Sequence, residues 1–132
     1  MKEKINLTIE KQRKFYSTHK TRDLKYRVEN LKKLKNAILS NIDDLYEAFH
    51  KDLRKSKTEA YGTEIGLVLS ELSLFIKKTK RWGRPRRVPT GLLNFKSVSY
   101  VYPEPFGHVL LVSPWNYPFL LLFQPLIAAI AT

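Results

Sequence analysis

The segment from Gly107 to Thr132 constrains the fold of this chain more than any other part. After Gly107 and His108, the residues up to Val112 are all apolar, and His108–Val112 is a candidate strand. A short turn, Ser113–Pro118, separates them from residues 119–132, which are apolar on nearly every face. A strand without alternation is typical of a parallel sheet buried on both faces, and Pro118 suits the first turn of a helix. Strand, turn and buried helix in this order predict the opening of a doubly wound α/β unit.

The sequence ahead of this unit predicts helices. Nine apolar residues between Leu24 and Leu53 recur at steps of three or four, close to the helical period of about 3.6 residues. They predict one long helix over this range, with Thr21 as a candidate cap at its start. A second helix is predicted over residues 58–82 and a shorter one near residues 8–16.

Between the helices and the α/β unit the pattern changes. Glycine and proline residues from Gly83 to Gly91 end the second helix. Val98, Tyr100 and Tyr102 then recur with a period of two, and this alternation of β-branched and aromatic residues predicts a strand over residues 97–102. The predicted fold class is therefore α/β, with N-terminal helices followed by the start of a doubly wound sheet.

The formal net charge of +12 resides in the first 87 residues, since Lys96 and Glu104 are the only base and acid beyond them and cancel. A basic excess attracts nucleic acid or an anionic membrane surface, although solvated helical faces are the commoner explanation. Residues 77–87 hold seven bases with a single aromatic residue, Trp82, which is not the regular interleaving of a nucleic-acid site. A basic helical module that binds nucleic acid or an anionic membrane is the alternative function.

The residue types exclude some classes of site. The chain contains no cysteine, so disulfides and thiolate zinc sites are excluded. Its three histidines lie far apart, so no metal site is predicted. The N-terminus lacks the apolar run of a secretory signal, and the apolar stretch of residues 119–131 is shorter than the ~20 residues of a membrane span. We expect a cytoplasmic protein, with peripheral membrane association as an alternative.

The turn Ser113–Pro118 is the candidate site, because ligands of doubly wound folds bind beyond the carboxyl ends of the strands. Asn116 is the only side chain of the turn with amide donors. It can cap the following helix, or it can donate a hydrogen bond to an oxygen that becomes negative in a transition state. From the residues alone the cap is favoured, and Trp115 is more typical of a core than of a binding wall.

Three motifs at the end of the chain change that balance. They are Pro103–Gly107, Pro114–Phe119 and Gln124–Ala131, and with the apolar strand between them they resemble one continuous signature of the aldehyde dehydrogenase superfamily. The Pro-Trp-Asn-Tyr-Pro form and the long basic helix ahead of it resemble the branch that oxidises fatty and aromatic aldehydes. The resemblance is to the N-terminal segment of these enzymes and covers nearly the whole chain.

The resemblance implies roles for the residues of the turn. Asn116 matches the asparagine whose amide helps to bind the oxyanion of the thiohemiacetal. Ser113, Pro114 and Trp115 match the turn along the nicotinamide side of the cofactor, which is NAD or NADP. Tyr117 and Phe119 match positions near the entrance for the aldehyde substrate.

The same resemblance implies a division of the chain and a partner. Residues 1–91 correspond to a helical N-terminal region and residues 92–106 to a strand of the oligomerisation arm. Residues 107–132 correspond to the first strand, turn and helix of the NAD(P)-binding domain. The strand over residues 97–102 is therefore a candidate surface for a homodimer.

The family mechanism also requires residues outside this chain. A cysteine nucleophile forms a covalent intermediate with the aldehyde, hydride passes to NAD(P)+, and a glutamate activates water. The chain has no cysteine and stops before the family's cofactor-phosphate glycines and general-base glutamate. We therefore expect a truncated chain without activity of its own. A decayed subunit that pairs with intact partners is a further alternative.

Overall fold

A computed structural model of the chain describes residues 2–105 and 107–132. Most of the described residues belong to helices, and two short strands follow the fifth of them. The helices are α1 Lys2–Tyr16, α2 Leu24–Ser40, α3 Ile42–Leu53, α4 Lys57–Ala60, α5 Gly66–Trp82 and α6 Pro118–Ala131, and the strands are β1 Arg86–Val88 and β2 Ser99–Val101. No helix within the described ranges is both long and apolar enough to cross a membrane.

The predicted long helix over residues 24–53 is two helices, α2 and α3, which meet at Asn41. The Asn41 side chain donates a hydrogen bond to the carbonyl oxygen of Ala37 at 2.8 Å. A side-chain amide that bonds locally to the backbone competes with helix continuation, and hydrophobic period does not reveal this. The predicted cap Thr21 is also wrong. Asp23 caps α2, and its carboxylate accepts from the backbone N–H of Lys25 at 2.8 Å.

The predicted second helix corresponds to α4 and α5, which are joined by a π-helical turn, Tyr61–Ile65. Ser56 caps α4 by accepting from the backbone N–H of Glu59 at 3.2 Å. The wide turn coincides with two consecutive residues, Glu64 and Ile65, whose side chains are both fully buried. Such π-helical insertions often accompany functional sites.

Helices α2, α5 and α6 pack against one another and enclose the core. Its buried apolar residues come from five helices and the π-helical turn: Leu31, Ile38, Phe49, Ala60, Ile65, Val68, Leu69, Leu72, Ile127 and Ala131. Helix α6 occupies almost the predicted range. The shorter helix predicted near residues 8–16 is present as α1, which is longer than predicted because it begins at Lys2.

The predicted strand over residues 97–102 is present as β2. Its partner is β1, which runs antiparallel and pairs Arg87 with Tyr100. β1 was not predicted, because two of its three residues are arginines that carry no hydrophobic period. The result is a two-stranded ribbon beside the helices.

The prediction of a buried parallel strand over His108–Val112 is wrong for this structure. No strand pairs with this segment among the described residues, and Leu110 and Val112 are largely exposed. A parallel strand is completed by hydrogen bonds to a neighbouring strand and by helices on both faces. The segment has the composition of such a strand without those neighbours.

Candidate functional site

The turn before α6 has a defined internal geometry. The hydroxyl of Ser113 lies 3.1 Å from the carbonyl oxygen of Pro114 and 3.3 Å from that of Pro118, so it donates within the turn. Tyr117 has a left-handed backbone with φ of 52° and stands at the N-cap position of α6. A non-glycine residue in this region is uncommon and is held there by its surroundings.

Asn116 is exposed and does not cap the helix. The cap position belongs to Tyr117, which forms no side-chain capping hydrogen bond. Within residues 2–105 and 107–132, no hydrogen bond involves the Asn116 side chain. The interpretation of Asn116 as a helix cap, favoured by the residues alone, is therefore wrong, and the Asn116 amide donors bind no other residue in the described part of the chain.

A carboxylate from a different helical segment caps α6 instead. Oε2 of Glu64 accepts from the backbone N–H of Phe119 at 2.9 Å and from that of Leu120 at 3.3 Å. Oε1 of Glu64 forms an ion pair with Nζ of Lys55. The Glu64 side chain is 0% exposed and that of Lys55 is 11% exposed, so this pair lies inside the protein.

Lys55 also contacts the turn that carries Asn116. Its Nζ lies 4.3 Å from the ring centroid of Tyr117 and 5.7 Å from that of Phe49. An ammonium group over an aromatic ring is attracted by the ring quadrupole. Lys55 therefore joins the buried Glu64 to the residue that follows Asn116.

The other residues predicted for the site separate into an outer and an inner group. Trp115 is 89% exposed and Tyr117 is about half exposed. Phe119 points inward, where its ring stacks on Phe123 at 4.2 Å and meets Phe49 edge-on at 6.1 Å. The turn thus presents Trp115, Asn116 and Tyr117 on its surface and anchors itself with Phe119.

An apolar groove of about 470 Å³ lies beside the turn, between α3 and α6. The turn contributes Trp115 and Pro118, and α3 contributes the buried ring of Phe49. One acidic residue, Asp52, also lines it. Within the part of the chain that the structure describes, no cluster of three His, Asp or Glu side chains could hold a metal ion.

The far end of α6 meets a buried cation. The Arg27 guanidinium donates from Nη1 to the carbonyl oxygen of Ala131 at 3.1 Å and from Nε to that of Thr21 at 2.6 Å. Burial lowers the pKa of Arg27, and Tyr16 opposes that shift. Helix α6 therefore has a carboxylate at its positive end and a guanidinium at its negative end, the arrangement that complements a helix dipole.

Glu64 and Lys55 were not predicted as site residues. A signal for Glu64 was nevertheless present in the sequence. Ala60, Glu64, Val68 and Leu72 follow one another at steps of four and are all fully buried. A charged residue within an apolar stripe is almost never fully buried unless it is paired, so the stripe itself indicates a partner.

Comparison with known proteins agrees with this architecture. A family model described as "Aldehyde dehydrogenase family" matches residues 1–132. The 4,4'-diaponeurosporen-aldehyde dehydrogenase of Staphylococcus aureus is 47% identical over 117 residues, which are 89% of this chain and 26% of that protein. Aldehyde dehydrogenase family 3 member A2 of Macaca fascicularis is 33% identical, over 93% of this chain and 25% of that protein.

A solved structure of Staphylococcus aureus AldH in a substrate-bound state superimposes on this chain with a TM-score of 0.93 and 44% identity. The match covers 96% of this chain and 28% of that one. The helices and two-stranded ribbon thus match part of the aldehyde dehydrogenase fold, and the chain spans about a quarter of the length of its relatives. Nothing in these matches supports a basic module for nucleic acid or membranes. The chain belongs to the aldehyde dehydrogenase family.

Proposed function

We propose that this chain supplies the N-terminal part of an enzyme that oxidises aldehydes to carboxylic acids with NAD or NADP, and that Asn116 is its catalytic contribution. One observation carries the proposal. The Asn116 amide is exposed and forms no hydrogen bond with any residue that the structure describes, on a turn whose helix is capped by the buried Glu64. An uncommitted donor on a rigid support is what stabilisation of a developing negative charge requires.

The proposed role of Asn116 is to donate a hydrogen bond to the aldehyde oxygen when that oxygen becomes negative. Donors fixed before the reaction need no reorganisation as the charge develops, and this is why they lower the barrier. The nucleophile that attacks the aldehyde is outside this chain, which contains no cysteine.

Ser113, Pro114 and Trp115 are proposed to lie along the nicotinamide side of the cofactor. The flat, uncharged face of Trp115 is largely open, and the Ser113 hydroxyl is engaged within the turn. This surface suits an aromatic ring and offers no charge to a phosphate, so it fits the nicotinamide end. The cofactor, when bound, would supply the acceptor for the hydride of the substrate. A relative from Canis lupus familiaris is named a dimeric, NADP-preferring aldehyde dehydrogenase.

The proposed substrate is an aldehyde with a long or bulky apolar group. The groove beside the turn is mostly apolar, and the Staphylococcus aureus relative is named for 4,4'-diaponeurosporen-aldehyde. Tyr117 stands at the surface next to Asn116 and is proposed to guide the apolar group. Phe119 is the less exposed of the two entrance residues and acts mainly by fixing the turn.

We also propose that the ribbon formed by β1 and β2 supports a homodimer. β2 has one partner strand within the described residues, and two aromatic residues, Tyr100 in β2 and Tyr102 just after it, are exposed. An edge strand offers unpaired backbone groups to a second chain. The predicted division of the chain at residues 91 and 106 would then assign β2 to an oligomerisation arm, whereas its partner β1 lies within the first region.

A chimera tests the proposed activity. Residues 1–132 of this protein replace the matching segment of the Staphylococcus aureus relative, and NAD(P)H formation from a long-chain aldehyde is measured. We expect turnover, and we expect Asn116→Ala to lower kcat by roughly 10²–10³. Asn6→Ala is the matched control, because it removes an exposed amide of α1 away from the turn.

Two results would overturn this proposal. One is a chimera that melts like its parent and oxidises no aldehyde. The other is an Asn116→Ala rate within about twofold of the unsubstituted chimera, far below the loss expected for an oxyanion donor. The 132-residue chain alone is expected to form no NAD(P)H from aldehydes, because it has no cysteine nucleophile, and detectable aldehyde-dependent turnover would contradict this.

A further inference from the structure

We propose that Glu64 is a positioning residue for the turn that carries Asn116, and that its ion-pair partner Lys55 shares this role. Glu64 supplies the N-terminal cap that α6 does not contain, and Lys55 links that cap to Tyr117. The effect on aldehyde oxidation rests on the proposed function, whereas the effect on the turn does not. The effect on the turn is tested in a structural arm by hydrogen exchange, and the effect on aldehyde oxidation in a kinetic arm by enzyme assay.

The start of α6 requires a cap from elsewhere in the chain. Tyr117 at the cap position has no side-chain hydrogen bond to the helix, and Pro118 has no backbone N–H. The backbone N–H of Leu121 already bonds to the carbonyl oxygen of Tyr117 at 3.1 Å. The N–H groups of Phe119 and Leu120 thus lack a partner in their own helix, and both donate to Oε2 of Glu64.

The burial of Glu64 argues against an incidental contact. A carboxylate removed from water is costly unless its oxygens are satisfied. Each oxygen of Glu64 has partners, Oε2 with two backbone N–H groups and Oε1 with the Lys55 ammonium. The carboxylate also lies at the positive end of the α6 dipole.

Lys55 connects this cap to the backbone beside Asn116. Its ammonium pairs with Glu64 and lies 4.3 Å from the Tyr117 ring centroid. Tyr117 is held at φ of 52°, a strained conformation for a non-glycine residue that persists only where the surroundings enforce it. The path from Glu64 through Lys55 to Tyr117 therefore sets the direction of the neighbouring Asn116 amide.

The structural arm uses the 132-residue chain. Amide hydrogen exchange is measured by NMR for Phe119 and Leu120, with Ile127 later in α6 as an internal reference. Glu64→Gln keeps the shape but loses the charge, and we expect the two amides to exchange about tenfold faster relative to Ile127. Glu59→Gln, an exposed glutamate near the start of the same helical segment, is the matched control and should change nothing. Equal exchange in both variants would overturn the capping role.

The kinetic arm uses the chimera. Glu64→Gln is expected to lower kcat by about 10- to 100-fold with little change in KM, because a small displacement of a catalytic group is sufficient for such a loss. In an Asn116→Ala background the same substitution should have almost no further effect. If Glu64 affected only folding, the loss of kcat from Glu64→Gln would add to the loss from Asn116→Ala. Additive losses would therefore overturn the positioning role.

Lys55→Met provides an independent test if Glu64→Gln unfolds the chain. It keeps an apolar side chain against Tyr117 and removes the partner of Glu64, so we expect faster exchange of Phe119 and Leu120 and a smaller fall in kcat. Unchanged exchange and unchanged kcat would overturn the role of Lys55. A chimera with no activity in any form contradicts the proposed function, and the exchange data still decide whether Glu64 caps α6.

Discussion

The helical core and the connecting segment over residues 89–116 contain similar apolar residues, but these residues are buried in the core and exposed in the segment. In the core, Leu31, Leu72 and Ile127 are fully buried between helices. In the connecting segment, Leu93, Leu110 and Val112 are almost fully exposed. The difference lies in the partners, because an apolar side chain is buried only where another apolar face is present to cover it. The core carries the stability of the chain, and the exposed segment carries its candidate chemistry.

The largest expected effect tests this division directly. Leu72→Ala should lower the free energy of unfolding by about 2–5 kcal/mol, since it removes a buried side chain and leaves a cavity. Leu93→Ala, which alters a fully exposed leucine, should stay within about 0.5 kcal/mol of the unsubstituted chain. Urea denaturation followed by circular dichroism measures both. Similar losses at the two positions would show that the segment is packed in solution.

A smaller effect is expected where α6 ends in the core. Arg27→Met should destabilise the chain by about 1–3 kcal/mol, because the carbonyl oxygens of Ala131 and Thr21 lose their buried donor. Arg22→Met is the matched control, since the Arg22 side chain is exposed and its contact with Glu104 is 3.8 Å. A Tm for Arg27→Met equal to that of the control would mean that water replaces the guanidinium.

The two capping predictions separate a structural role from a functional one. Ser56→Ala should cost about 1 kcal/mol, because Ser56 caps α4. Asn116→Ala should cost less than about 0.5 kcal/mol, because the Asn116 side chain is exposed and outside the cap. Thermal unfolding of the two variants makes the comparison. A loss at Asn116 as large as that at Ser56 would restore the cap interpretation.

The smallest expected effect concerns an exposed ion pair on α3. Lys51 lowers the pKa of Glu47, first through a hydrogen bond and then through its charge. A lowered folded-state pKa contributes stability above the unfolded pKa, and that contribution is lost as the pH falls through the folded pKa. Because both side chains are exposed, the resulting change in the free energy of unfolding should be too small to resolve.

NMR titration of the Glu47 side chain detects this pair more directly. We expect Lys51→Met to raise the pKa of Glu47 toward its ordinary value, and high salt to have the same effect in the unsubstituted chain. A Glu47 pKa that does not change in Lys51→Met would show that the pair does not form in solution.

Several elements were predictable because their signals are local. The apolar period located the helical segments, the alternation around Tyr100 located β2, and Pro118 marked the start of α6. The break at Asn41 was missed because one side-chain hydrogen bond decides it. The parallel strand over residues 108–112 was predicted wrongly, because a strand depends on neighbours that its own residues do not specify.

The candidate site was predictable only in part, for a related reason. The motif around Asn116 was sufficient to identify the turn and the family, and the amide donor was named from its chemistry. The support of that turn was not predictable, because Glu64 lies 55 residues before Phe119 in the chain and only packing brings the two together.

By itself, the sequence determined the helical periods, the identity of the motif from Pro103 to Ala131 and the absence of a cysteine nucleophile. The tertiary structure alone decided which residue caps α6. A cap is whichever acceptor reaches the free N–H groups, and the buried Glu64 reaches them while the adjacent Asn116 does not. Asn116 is therefore not needed as the cap of α6, because the distant Glu64 carboxylate accepts from the first free N–H groups of that helix.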